Sequence, residues 1–258
     1  MIKVNDILQT LWALAPAQYK ESWDNIGLLC GHPDAPVTRV LTALDASLDV
    51  AQEAAQRGCE LVAVHHPLIF RGVMAATDDD LVGRRVLAFA ERGIAVICMH
   101  TNLDCAPGGV NDLLAARLGL QNIEILQDGE TAGLIRIGET AEQPLPDFLT
   151  ALKTALDCPG LRYSDGGRPV RRVAVGGGAC IGFWQKVREA GCDTFVTADL
   201  KYHEFCDAVE SGLNLIDAGH FETENPVCDV LAATLSARFP SLEVLRTEVH
   251  ARSCIRYW

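Results

Sequence analysis

The run Glu60-Leu61-Val62-Ala63-Val64-His65-His66-Pro67 decides how this chain is read. An apolar stretch with no polar alternation ends on two adjacent histidines, and a proline follows. Short apolar runs of this kind fit strands covered on both faces, as in a parallel sheet. Upstream, residues 39–45 read as another strand, and 48–57 as a helix stopped by Gly58. Downstream, 81–92 has helical spacing up to Gly93, 94–99 is a third strand, and 110–118 is a helix that follows Pro107-Gly108-Gly109 and ends at Gly119. This βαβα rhythm predicts a largely parallel sheet with helices on both faces.

The second half repeats the rhythm less regularly. The reading is an edge strand over 132–137, a helix over 145–156 with Pro146 in its first turn, and a strand over 171–175. Gly176-Gly177-Gly178 then turns into a helix reaching 190. A strand over 193–197, a short helix over 204–210, a strand over 213–217, a helix over 226–238 and a strand over 243–249 complete the chain. The polar stretches 121–129 and 157–168 are candidate junctions.

In open α/β sheets, ligands bind outside the carboxyl ends of the strands. His65, His66, His100, Asp104 and His220 all follow apolar runs and fall at such ends. Imidazole and carboxylate are the donors that first-row divalent metals prefer. One histidine at a strand end is read as a surface or hydrogen-bonded residue; five ligand-type residues at three strand ends favour a metal site. On an extended backbone His65 and His66 point in opposite directions, so one ion takes both only if the chain turns. Two adjacent histidines are therefore compatible with two metals, with Asp104 and Glu224 as candidate bridging carboxylates. His220 and Glu224 are four residues apart and share a face if that segment is helical. Pro226 also permits an irregular loop.

Other motifs are weaker. The glycine triplet fits an anion cradle or, more simply, a tight turn needing positive φ. Lys201 is a candidate phosphate binder and His203 a candidate proton carrier, and both read equally well as solvated residues. Asp24-Asn25 reads as loop chemistry. The run Asp78-Asp79-Asp80 reads as a helix N-cap region. The four tryptophans, Trp12, Trp23, Trp184 and Trp258, show no base-stacking pattern.

Bulk properties exclude several classes. A net charge of −12 argues against nonspecific binding to nucleic acid or an anionic membrane. No apolar run has the length of a transmembrane helix. The N-terminal residues carry no apolar signal-peptide core. None of the ten cysteines forms a C-x-x-C pair, so reduced, mostly buried thiols in the cytoplasm are expected rather than a disulfide framework or a zinc-cysteine site.

Five motifs together resemble the NIF-three-like family, also described as GTP cyclohydrolase I type 2 homologues or dinuclear metal-centre hexameric proteins. They are Ser22-Trp23-Asp24-Asn25-Ile26-Gly27-Leu28, His65-His66-Pro67-Leu68-Ile69-Phe70, His100-Thr101-Asn102-Leu103-Asp104, Gly108-Gly109-Val110-Asn111-Asp112 and Gly219-His220-Phe221-Glu222-Thr223-Glu224. The resemblance implies an α/β fold of two interlinked subdomains, with mostly parallel or mixed sheets flanked by helices. On this chain the first subdomain is expected over 1–125, completed by 213–258, and the second over 126–212. It also implies a toroidal homohexamer and a dinuclear centre held by His65, His66, Asp104, His220 and Glu224. The length matches the short form, without the inserted middle domain of longer relatives.

Two divalent ions are thus expected, with zinc, iron, manganese, cobalt and nickel all compatible with mixed nitrogen and oxygen donors. The leading functional reading is a metal-dependent hydrolase for a nucleotide-like or phosphorylated small molecule, with His203 or His100 carrying protons and Lys201 holding phosphate. The alternatives are a non-enzymatic metal-binding or metal-delivery protein, and an oligomeric interaction protein whose metal is structural.

Overall fold

The computed structural model describes residues 1–127, 129 and 133–256. It is a mixed α/β fold with two mixed sheets flanked by helices. The chain forms two compact units: Met1–Ala106 with Val227–Arg252, and Pro107–Pro226 with the segment from Ser253. It passes between them at 106–107 and 226–227, where the sequence reading has 125 and 213.

The first unit opens with α1 (Val4–Leu14), whose buried Val4, Ile7, Leu8 and Leu11 follow helical spacing. β1 (Gly27–Cys30), β2 (Arg39–Ala43), α2 (Leu48–Gln56), β3 (Leu61–Val64), α3 (Leu81–Ala90), β4 (Ala95–Cys98) and the short α4 (Thr101–Cys105) follow. Asp80 caps α3 by accepting from the Gly83 amide at 2.8 Å, the role expected of that acidic run.

The second unit contains α5 (Val110–Arg117), β5 (Gln121–Ile125), β6 (Arg136–Gln143), α6 (Leu145–Ala155), β7 (Arg162–Ser164), β8 (Val170–Val175), α7 (Trp184–Glu189), β9 (Thr194–Thr197), α8 (Tyr202–Glu210), β10 (Asn214–Asp217) and α9 (His220–Glu224). Its sheet runs β5-β6-β8-β9-β10-β7. The β8, β9 and β10 strands are parallel and the outer pairings antiparallel. The interior alternates with period two: Val173, Val175, Val196 and Ile216 pack on one face, and Ala174, Phe195 and Leu215 on the other.

Three expectations change here. The edge strand read over 132–137 is β6, which begins at Arg136 and lies between β5 and β8; Ala132 itself falls outside the described residues. The supposed junctions hold β5 and β7. Both are edge strands of largely exposed residues, so they lack the apolar signal on which the reading relied.

The chain then returns to the first unit through α10 (Val227–Arg238) and β11 (Glu243–Arg246). The first sheet runs β1-β4-β3-β2-β11, with β4, β3, β2 and β11 parallel and β1 antiparallel to β4. Leu41, Ala43, Val62, Val64, Val96 and Cys98 pack with α2 residues and Phe89. All ten cysteines are free. No helix among the described residues is long and apolar enough to cross a membrane.

Candidate metal centre

In the first unit, neighbouring parallel strands deliver their end residues side by side: Asp45 after β2, His65 and His66 after β3, and His100 after β4. One ligand atom from each of His65, His66 and His100 lies within 4.8 Å of the other two. Adjacent residues reach one cluster because the chain bends. The amides of His65 and His66 both donate to the Leu44 carbonyl, at 3.2 and 2.8 Å, which an extended strand does not allow. The opposed orientation expected of an extended pair is thereby removed, and the two ring centroids are 5.1 Å apart.

Each of these rings is held through Nδ1. His65 Nδ1, fully buried, donates to the Met99 carbonyl at 2.8 Å. His66 Nδ1 meets Asp45 Oδ1 at 2.7 Å, and His100 Nδ1 meets Asp24 Oδ1 at 2.8 Å. An oxygen acceptor at Nδ1 fixes the tautomer and leaves Nε2 with its lone pair. Metal-ligating histidines are supported in this way. His65 Nε2 lies 3.5 Å from Asp104 Oδ1, which α4 carries. Asp24 is buried and also accepts from the Thr101 amide at 3.0 Å and from its hydroxyl at 2.5 Å. Burial pushes its carboxyl up, but His100 and the Thr101 donors outweigh this and hold it down at about 2. What reads as loop chemistry in the sequence is thus the support of His100.

In the second unit, α9 places His220 and Glu224 on one face, and His220 Nε2 is 2.9 Å from Glu224 Oε2. Of the two conformations open from the sequence, the helical one is found. His220 Nδ1 is held by Asp199 Oδ2 at 2.7 Å, and Asp199, after β9, adopts φ +60°. Burial lowers the basicity of His220, but Asp199 and Glu224 outweigh it and raise its pKa well above the ordinary histidine value. A carboxylate on each ring nitrogen creates demand for a cation, which a proton or a metal satisfies.

The glycine triplet does not cradle an anion, because each N–H already has a partner. Gly176 donates to the Val196 carbonyl, Gly177 to Asn111 Oδ1 at 2.7 Å, and Gly178 to Thr223 Oγ1 at 3.0 Å. Its role is steric. Gly178 has φ +62°, and a Cβ there would lie 2.1 Å from Glu224 Oε1.

Lys201 and His203 are exposed residues at the start of α8. The Lys201 amide is capped by Glu204 at 2.6 Å. The residues that sequence reasoning missed are the anchors: Asp45, Asp199, Asn111, Thr223 and the Met99 carbonyl. Asn111 and Thr223 lie inside the motifs quoted above, whereas Asp45, Met99 and Asp199 lie in none of them. No metal-type cluster among the described residues includes a cysteine. Cys98, whose pKa burial pushes far up, donates its thiol to the His65 carbonyl at 3.0 Å.

Imidazole and carboxylate donors, with every ring oriented through Nδ1, fit divalent first-row metals. Comparison with known proteins bears on the same fold. The GTP cyclohydrolase 1 type 2 homolog of Clostridium perfringens is 35% identical over 93% of this chain and 94% of its own length. The protein of that name in Streptomyces coelicolor is 37% identical over 91% and 86%. The crystal structure of a Staphylococcus aureus hypothetical protein superposes with a TM-score of 0.89 at 30% identity, covering 99% of each chain. Reduced HcgD from Methanocaldococcus jannaschii superposes at 0.84 with 28% identity, over 96% of this chain and 98% of that one. The family description Duf34/NIF3 (NGG1p interacting factor 3) matches residues 2–253. With that match spanning nearly every residue, and the histidine-bearing motifs in place within it, the chain belongs to the DUF34/NIF3 family.

Proposed function

We propose that this protein is a metal-dependent hydrolase acting on a nucleotide-like or phosphorylated small molecule, with two divalent ions held by His65, His66, Asp104, His220 and Glu224. The observation that carries the reading is the shared anchoring of four imidazoles, each fixed through Nδ1 by a carboxylate or a backbone carbonyl. Divalent ions supply Lewis acidity and water acidified towards a pKa of about 7. The protein's own part is orientation and proton handling. Asp45, Asp24 and Asp199 fix the rings, and Gly178 leaves room for the Glu224 carboxylate. His100, with Nδ1 committed to Asp24, has Nε2 to carry a proton, which makes it the first choice for that role. Lys201 and His203 are proposed as outer groups for phosphate and proton transfer. The relatives' name, GTP cyclohydrolase 1 type 2 homolog, favours a nucleotide-like substrate. We further propose a cytoplasmic homohexamer.

The test is elemental analysis of purified protein combined with a hydrolysis screen that includes GTP, each with zinc, iron, manganese, cobalt or nickel. About two ions per chain and metal-dependent turnover are expected. Asp104→Ala and Glu224→Ala should each lower metal content and abolish turnover, because each would remove a carboxylate that is proposed to hold the ions. Lys201→Ala and His203→Ala should lower turnover at unchanged metal content. No turnover with any metal, together with ion transfer to an acceptor protein, would establish the metal-delivery reading instead.

A further inference from the structure

Two large aromatic side chains stand exposed beside the histidine cluster of the first unit. Trp23 is 56% and Phe70 44% exposed. Aromatic side chains carry large apolar surfaces that folding ordinarily hides. The two rings are 47 positions apart in the sequence, yet their centroids lie 5.6 Å apart at an interplanar angle of 56°. Both approach the His100 ring edge-on, Trp23 at 6.3 Å and Phe70 at 6.2 Å.

The backbone beneath them is pinned. Asn25 Nδ2 donates to the Ile69 carbonyl at 2.6 Å and ties the Trp23 loop to the Phe70 loop. The Glu21 amide donates to Thr101 Oγ1 at 2.9 Å, and Lys20 Nζ to the Asp24 carbonyl at 2.8 Å. Asp24, between the two aromatic-loop anchors, holds His100. The rings are therefore presented on fixed loops, which lowers the ordering cost of binding.

We infer that Trp23 and Phe70 form a stacking face for a planar heterocycle of the nucleobase type, which they present to the His65, His66 and His100 cluster. The tilt lets a flat ring stack on one side chain and meet the other edge-to-face, the two arrangements aromatic groups prefer. Charge points to the same ligand part. At a net charge of −12 the overall field does not attract a phosphate, so affinity for a nucleotide-like molecule has to come from local contacts. Stacking on neutral rings is indifferent to that field. The inference rests on the proposed function for what happens to the ligand, but not for whether it binds.

The experiment measures guanosine and adenosine binding by calorimetry to metal-loaded and metal-free protein, with ribose 5-phosphate as the probe that lacks a base. Both nucleosides should bind the wild type more tightly than ribose 5-phosphate does. Trp23→Ala and Phe70→Ala should each raise the nucleoside Kd about 5- to 150-fold, the range for one base–aromatic stack. Trp23→Phe should restore most of the affinity. Metal content and assembly size by light scattering should match wild type in all three variants. The inference is overturned if wild type prefers ribose 5-phosphate or binds no nucleoside. It is equally overturned if the alanine variants bind nucleosides like wild type, or if they change assembly size, which would make the rings a contact between copies. Nucleoside binding lost in the variants but no turnover in wild type would sink the hydrolase reading and leave the stacking face standing.

Discussion

The two histidine-bearing regions reach the same chemistry by different construction. In the first unit, His65, His66 and His100 come from the ends of two paired strands, and Asp45 from the next strand over. In the second, His220 and Glu224 come from one turn of α9, with Asp199 and Gly178 closing around them. The first assembly depends on strand order, and its His65 is fully buried. The second depends on an i, i+4 spacing and on backbone at positive φ, and its His220 side chain keeps 31% exposure. A ligand set drawn from strand ends inherits the rigidity of the sheet. One drawn from a single helical turn needs local steric permission, which here comes from glycine.

The largest effects are expected at the anchors. Asp45→Ala in the first region and Asp199→Ala in the second should each weaken metal affinity about 10- to 100-fold, the usual cost of losing a partner behind a ligating histidine. Competition with a chromophoric chelator measures both. If Asp199→Ala matches wild type while Asp45→Ala does not, the second region is not a metal half-site.

A smaller effect should sharpen the steric difference. Gly178→Ala places a methyl group where Glu224 Oε1 lies and forces alanine to φ +62°. A cost of about 1–3 kcal/mol in stability is expected from the backbone alone. A drop in metal content should accompany it because the carboxylate must move. Thermal melts and elemental analysis read the two separately, and a variant with wild-type metal content would show that Glu224 tolerates displacement.

The smallest effect is expected at a buried carboxylate that belongs to neither group of ligand-type residues. Glu53 on α2 accepts from the Glu248 amide at 2.9 Å and from Thr247 Oγ1, and pairs with Arg57 at 2.6 Å. Burial raises its pKa, but these donors outweigh burial and bring it below the usual value. A carboxyl with a lowered folded pKa contributes stability above its unfolded value of about 4.3, and the contribution is lost as pH falls through the folded value. Glu53→Gln should therefore cost about 1–2 kcal/mol at pH 7, with the gap to wild type closing below pH 4. Metal content should be unchanged. Urea melts at both pH values check this, and a gap that persists at low pH would locate the effect in packing rather than charge.

The parallel core of both sheets is readable because runs of apolar and β-branched residues such as Leu61–Val64 and Thr194–Thr197 are buried on both faces and carry their signal in composition. β5 and β7 are not, since edge strands of exposed residues have no such signal. His220 and Glu224 announced their shared face through spacing, conditional on a helix that the structure supplies.

By itself, the sequence determined the α/β class, the order of most elements, and the strand ends that carry histidine and carboxylate. Those features are local, because burial periodicity and helix stops act over a few residues. The tertiary structure alone decided that β3 and β4 are neighbours, that His65 and His66 turn together on the Leu44 carbonyl, and that Asp24 reaches His100 across 76 positions. It also set Trp23 beside Phe70 and closed the glycine turn on Asn111 and Thr223. Each of these is a contact between segments distant in the chain. Strand order and loop closure bring such segments together, and no pattern within either segment encodes its partner.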